Sequence, residues 1–376
     1  MNNNVLLIGG TGILSSDVCK QAIKEGFNVY ILNRGTRKYN IAPNAHLITC
    51  DIRNENVQDI RVKLNDIYFD IIVDFLSMDV DNLQKSLSII KGKCDQYVFI
   101  SSATVYMKHD ENVEITEETP IENNLWDYAS KKIGCEEFLT KEYEKYCKEY
   151  TIIRPYVTYG KTRIPYAIIP GNNWTLVNRI KLGKPVVLWN HGQVRCTITN
   201  TKDFAVGVVG LFNNQKAYAE AFHITSDFRM TWKEVIDDVI KTVGTQCFVA
   251  DMKTDDIVSY LPEYAGVLYG DKSTDMIFDN SKIKEVVPKF ESRICFKEGI
   301  AETINFMQNN PELQKIDYAW EGRIDWMLYK YYKHDKEIKS KLHLGVYDGI
   351  SKKDSIKYLI NRYCILHKMY TIVKGH

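Results

Sequence analysis

The feature that most constrains this chain is an apolar run that breaks into glycines, VLLIGGTGILS at residues 5–15. Four consecutive apolar residues form a short buried strand. Gly9 and Gly12 follow, and then Leu14, Val18 and Ala22 recur at helical spacing until Gly26. A strand that turns through glycines into a helix lets the backbone approach a pyrophosphate, which then rests on the helix N-terminus. On its own such a glycine pair is only a turn. Its place at the opening of the first βαβ unit is what points to a dinucleotide. The usual third glycine is replaced by Ser15, still small enough to pack helix on strand.

Further strands are expected at 28–32, 46–50, 70–75, 96–101 and 150–155. They are rich in Val, Ile and Tyr and mostly apolar on both faces, which fits strands covered by helices on both sides. Helical patterns at 56–66, 79–91 and 126–149 separate them. The alternation predicts an α/β fold, a doubly wound parallel sheet of the Rossmann type. Past residue 160 it becomes irregular, with helices expected at 173–182, 231–243 and 297–309. Residues 1–160 are thus the dinucleotide-binding domain, with strands and helices returning from the C-terminal half. A smaller mixed substrate region, 161–320, is expected to close over the sheet. Residues 321–376 form a helical basic extension, with 12 Lys+Arg against 6 Asp+Glu.

Charge and composition exclude several classes. Formal net charge is +1, so no overall field steers nucleic acid. The nine cysteines are odd in number and lack a C-x-x-C pair, which argues against a disulfide framework or a zinc cluster. They are expected as reduced core thiols. The histidines, including His46, His109, His191 and His223, show no ligand spacing, so no metal is expected. No basic leader or spanning apolar run stands at the N-terminus, and the protein is expected to be soluble and cytoplasmic.

The end of the second strand carries information about the cofactor. An acid there would accept hydrogen bonds from a ribose 2′-hydroxyl and repel a 2′-phosphate. The sequence is LNRGTRK, with Asn33 at the acid's position, then Arg34, Arg37 and Lys38. A guanidinium suits a phosphate, so NADP is favoured over NAD, although the same charges also suit a solvated loop. Asp51, ending the third strand, is placed to hydrogen-bond the adenine.

Tyr128 and Lys132, in DYASKK, are four residues apart and share a helix face. Among 24 tyrosines such a pair means little by itself. GGTGIL, CDIRN, FISSATVY, YASKK with a following Glu, and TIIRPYVTYG stand in one order and spacing. Together they resemble the extended short-chain dehydrogenase/reductase family, of the nucleotide-sugar epimerase and dehydratase type. The resemblance spans residues 5–160 and continues weakly to about 310, where AFHITSDFRMTWKEVI and IFDNSKIKEVVPKF resemble the family's substrate-domain elements. It implies a catalytic triad of Ser102, Tyr128 and Lys132. It also implies cofactor contacts from Gly9, Thr11, Gly12, Ile13, Leu14, Asn33, Arg34, Asp51, Ile52 and Leu76, and from Tyr128, Lys132 and Tyr156. Substrate contacts fall on Thr104, on Asn172 or its neighbour Asn173, and on Arg195. A homodimer through the helices at 79–91 and 126–149 is the family expectation.

The implied chemistry agrees with the residue types. A phenol of pKa about 10 is a poor base at neutral pH. A nearby ammonium lowers that value, so Tyr128 can take a proton from a sugar hydroxyl while hydride leaves the same carbon. Dehydratases of the family commonly place Asp-Glu directly after the Ser/Thr, and this chain has Ala103 and Thr104. SSATVY resembles the epimerase form, so an epimerase is expected first and an NADP-dependent reductase, dehydrogenase or dehydratase next. Met107 replaces a usual glycine, DFLSM at 74–78 replaces His-x-Ala-Ala, and Arg195 lies one residue out of register with Asp203. An inactive RNA-binding relative is the competing class, suggested by the basic, tyrosine-rich tail. Against it, residues 1–320 carry 37 Lys+Arg and 42 Asp+Glu, and a complete triad would be surplus.

Overall fold

The computed structural model describes residues 3–36, 41–108, 113–342 and 350–363. Arg37, Lys38 and His109 lie outside the described residues. The chain divides into two compact units. The first holds Met1–Gly160, Arg195–Arg229 and Tyr269–Phe296; the second holds Lys161–Val194, Met230–Leu268 and Lys297–His376.

The first unit is a doubly wound α/β sheet. Its elements run β1 (Asn4–Ile8), α1 (Ile13–Lys24), β2 (Asn28–Asn33), β3 (His46–Thr49), α2 (Val57–Leu64), β4 (Phe69–Asp74), α3 (Val80–Ile90), β5 (Cys94–Ile100), α4 (Asp127–Glu142) and β6 (Glu149–Pro155). A seventh strand, Glu220–Ile224, completes the sheet. The order is Glu220–Ile224, β6, β5, β4, β1, β2, β3, with every pair parallel. Both faces are buried, and side-chain alternation feeds two cores. Val5, Leu7, Ile71, Val73 and Val98 pack on one face with Val18 of α1 and Val208. Leu6, Ile8, Ile72, Tyr97 and Phe99 pack on the other with Ile60, Leu83, Leu87 and Leu139 of α2, α3 and α4.

Helix ends follow local signals. Asn56 and Asp79 cap α2 and α3 by accepting the amides of Asp59 and Asn82. Gly26, at φ +88°, ends the turn after α1. One expectation is corrected. The stretch from 221, which resembled a substrate-domain element, supplies the sheet's edge strand, where Phe222, His223 and Ile224 are fully buried. Residues 277–290 likewise belong to the first unit.

In the second unit, helices lie at Trp174–Lys181 and Trp232–Val243, and Phe296–Gln308 leads into it. Thr231 and Glu234 form a capping box on Trp232–Val243, and Gly244 closes it in the left-handed region. A two-stranded parallel pair, Val186–Trp189 with Val249–Met252, sits against that helix through Trp189 and Trp232, whose ring centroids are 5.2 Å apart.

The C-terminal helices are built into this unit. Tyr318–Tyr331 carries Glu321 and Asp325, both fully buried. Arg179 pairs with them at 2.8 and 2.9 Å, and Lys184 at 3.0 and 2.6 Å. Two cations and two anions therefore meet in the interior without net charge. The helix Lys352–Tyr363 closes on the same cluster through the Tyr358 hydroxyl, 2.7 Å from Asp325. Gly322 permits that approach, since a Cβ there would lie 2.4 Å from the Tyr358 carbonyl oxygen.

Candidate active site

The glycine loop lies at the carboxyl end of β1. Gly9 adopts φ +92°, and a Cβ on it would stand 2.7 Å from Leu76. Both facts exclude a larger residue. Ser15 does more than pack closely. Its hydroxyl accepts the Gly12 amide and donates to the Gly9 carbonyl, each at 2.8 Å, which pins the loop. Ile13 and Leu14 begin α1, where first-turn amides have no intrahelical acceptor.

A cleft of about 210 Å³ opens beside this loop. Gly9, Thr11, Gly12, Asn33, Arg34, Asp51, Ile52 and Leu76 line it, so eight of the expected cofactor positions converge. The amides at the head of α1, the lack of a Cβ at Gly9 and Gly12, and the guanidinium of Arg34 fit a dinucleotide. Asn33 donates to the Thr11 hydroxyl at 3.1 Å and accepts the Gly35 amide at 2.7 Å, so it shapes the loop between β2 and β3. Asp51 accepts from the Asn54 side chain at 3.0 Å and the Arg53 amide at 3.2 Å. Desolvation opposes ionisation of Asp51, but these bonds and the charge of Arg34 hold its carboxyl below the usual range.

The triad positions lie just after β5 and on α4. Ser102 follows β5 and begins a short 3-10 turn, Ala103–Val105. Its oxygen accepts the Thr104 hydroxyl at 3.0 Å. Lys132 is buried, and its ammonium donates to the Ser77 carbonyl at 2.7 Å and the Ile100 carbonyl at 2.8 Å. Burial pushes its pKa below the usual lysine value, while Cys135, Asp74 and Glu136 oppose that shift. The lysine thereby ties α4 to the ends of β4 and β5. Tyr128 lies one turn earlier on the same face, its ring 4.9 Å from that of Trp126.

Several residues that support this arrangement escaped the sequence-based reading. Asp74, buried at the end of β4, accepts the Leu76 amide at 2.8 Å and the Ser77 hydroxyl and Tyr97 hydroxyl at 2.6 Å each. It builds the loop that presents the Ser77 carbonyl. Glu136, one turn beyond Lys132, accepts the Ser101 hydroxyl and a forked pair from Arg154, whose shorter contact is 2.6 Å. Its spacing of eight from Tyr128 was a visible signal. Arg154 also donates to the Tyr106 hydroxyl at 3.1 Å, which lies 3.2 Å from His223. Burial lowers the His223 pKa to about 4, so the ring is neutral. Asn123 bridges the Thr104 and Gly270 carbonyls at 2.7 and 2.8 Å.

The remaining expected positions are scattered. Tyr156 is buried just beyond β6, and Thr104 is buried beside Ser102. Arg195 is clamped by Asp275, at 2.9 Å through Nε and 2.5 Å through a terminal nitrogen, so any diphosphate would compete with that carboxylate. Asn172 belongs to the second unit, where its carbonyl accepts the Thr175 amide. Among the described residues, no His, Cys, Asp and Glu group could hold a metal, and no helix is long and apolar enough to cross a membrane.

The model of the NAD dependent epimerase/dehydratase family matches residues 5–224. The chloroplast stem-loop binding protein of 41 kDa b from Arabidopsis thaliana is 24% identical over 253 residues, 64% of this chain and 63% of its own length. This chain therefore aligns with under two thirds of that relative. An epimerase from Methanothermobacter thermautotrophicus superposes with TM-score 0.68 at 17% identity, over 83% of this chain and 94% of its own. UDP-glucuronic acid 4-epimerase from Bacillus cereus, in complex with NAD, gives 0.64 at 16%, over 83% and 100%. The dTDP-glucose 4,6-dehydratase from Bacillus anthracis, also with NAD, gives 0.65 at 19%, over 82% and 97%. At these identities the structures establish the fold.

Proposed function

The chain belongs to the NAD dependent epimerase/dehydratase family, and from that premise we propose that it is a nicotinamide-dependent epimerase of a nucleotide-activated sugar. The observation that carries this is the anchoring of Lys132 to the Ile100 carbonyl at 2.8 Å, which holds the Tyr128 face of α4 to the strand end that bears Ser102. A nicotinamide dinucleotide, when bound, supplies the acceptor and then the donor of a hydride. Tyr128 takes the proton from the sugar hydroxyl and later returns it. Ser102 hydrogen-bonds that oxygen. The charge of Lys132 favours the phenolate. Two of its three N–H groups serve the Ser77 and Ile100 carbonyls, leaving one donor for the ribose side of the cofactor.

Thr104 supports an epimerase over a dehydratase, because its hydroxyl bonds to Ser102 where the dehydratase pattern has a carboxylate pair. We further propose NADP as the preferred cofactor. Asn33 ends β2 without a negative charge, and Arg34 lines the cleft beside it. Tyr128→Phe tests the catalytic assignment. Turnover should fall by about 10²–10⁴-fold with cofactor affinity unchanged; full retained turnover removes Tyr128 from the chemistry.

A second reading, an RNA-binding protein, is favoured by the stem-loop binding relative. RNA affinity that falls steeply with salt and survives Tyr128→Phe would support it.

A further inference from the structure

A group of buried charges in the first unit has no role in the arrangement above. Lys108, Asp271 and Lys272 lie together, their side chains 12%, 4% and 6% exposed. Lys272 pairs with one Asp271 oxygen and sits 4.6 Å over the Tyr156 ring, with that hydroxyl 3.4 Å away. The other oxygen of Asp271 is buried and accepts no hydrogen bond, and the Lys108 ammonium stands 3.9 Å from it, beyond bonding reach. The Thr274 hydroxyl is likewise buried without a partner. Buried polar atoms are nearly always satisfied, so two orphans in one short segment leave bonds that a ligand could complete.

Charge points the same way. Two ammonium groups, those of Lys108 and Lys272, approach the Asp271 carboxylate, and the neighbouring Asp275 pairs with Arg195. Burial lowers the Lys108 pKa and the like charge of Lys272 lowers it further, while Asp271 opposes both. The location is close to Ser102. Asn123 donates to both the Thr104 and Gly270 carbonyls, which holds the turn bearing Asp271 and Lys272 against the segment that follows β5. That turn, Leu268–Lys272, is π-helical, a form frequent at functional sites.

We propose that Lys108, Asp271 and Lys272 form a subsite for an anionic, hydroxyl-bearing sugar group, its carboxylate or phosphate meeting the lysines and a hydroxyl donating to Asp271. The assignment rests on the proposed function only in calling this group part of a substrate, and its binding test uses free sugars. Saturation-transfer NMR on the full chain would compare glucuronate, glucose 6-phosphate and glucose. The subsite predicts transfer to an acidic sugar and little to glucose. The two acids distinguish a carboxylate from a phosphate ligand. Lys272→Met should weaken the acidic sugar on the order of tenfold. Lys108→Met should do the same, and unchanged NADP titration would show that each variant is folded. Equal transfer from all three sugars, or acidic-sugar binding that survives both substitutions, overturns the proposal. Acid-sugar binding with no conversion of any nucleotide sugar would leave the subsite standing and sink the epimerase reading.

Discussion

Asp325→Asn isolates the buried charge cluster of the second unit. The wild-type cluster balances Arg179 and Lys184 against Glu321 and Asp325, all at most 1% exposed at the side chain. The amide removes one negative charge without changing shape, leaving two cations and one anion in the interior. Removing one partner of a buried ion pair costs about 3–5 kcal/mol. At about 2–4 °C per kcal/mol for domains of 150–250 residues, the melting midpoint should fall by roughly 6–20 °C. Calorimetry is the assay, because the two units need not melt together. Glu337→Gln is the control. That carboxylate pairs with Lys341 on the surface, 78% exposed, and should cost at most about 1 kcal/mol. Burial works against ionisation of Asp325, but Arg179 and Lys184 hold its carboxyl below the usual range. Its stabilisation is therefore fully present above the unfolded pKa of about 3.9 and is lost as pH falls through the lower folded value. The variant's deficit should stay constant from about pH 7 to 5 and shrink below about pH 4. A deficit no larger than the control's, or one independent of pH down to acid unfolding, would refute the coupling of these charges.

Other expectations follow from the first unit. Arg34→Ala should weaken NADP by roughly tenfold, the worth of a charge-assisted contact, and NAD much less. Equal losses by titration would mean the loop does not read the 2′-phosphate. Gly9→Ala should abolish binding of both cofactors, through its φ of +92° and the 2.7 Å approach to Leu76. Intact affinity would show that the loop rearranges at little cost. Burial lowers the Lys132 pKa, so its ammonium is lost below the usual lysine value. The alkaline limb of kcat should therefore begin below about pH 10, and a rate flat through that value would contradict the assigned role.

The central sheet was legible because its signals are local. All of β1 to β6 but the edge strand β3 are built on short apolar runs, and Gly9 and Gly12 mark the cofactor loop. The edge strand Glu220–Ile224 was harder to place, since its partner β6 lies far back in the chain. The same distance hid the supports of the site. Lys132 meets the Ser77 carbonyl 55 residues away, and Asn123 meets Gly270 across 147 residues. No periodicity encodes such pairs. The spacing of Glu321 and Asp325 does not mark them as buried, because partners at Arg179 and Lys184 cannot be inferred from it. The pairing of Arg195 with Asp275, 80 residues on, is equally invisible to spacing.

The central claim is reversible oxidation of a nucleotide-bound sugar at Tyr128. Its most direct test is incubation with NADP or NAD and a panel of UDP-, GDP-, CDP- and dTDP-sugars, followed by NMR of the products. The account predicts inversion at one ring carbon of one sugar, with no net consumption of cofactor. Loss of water, net oxidation or reduction, or no conversion of any sugar by cofactor-loaded protein would contradict it.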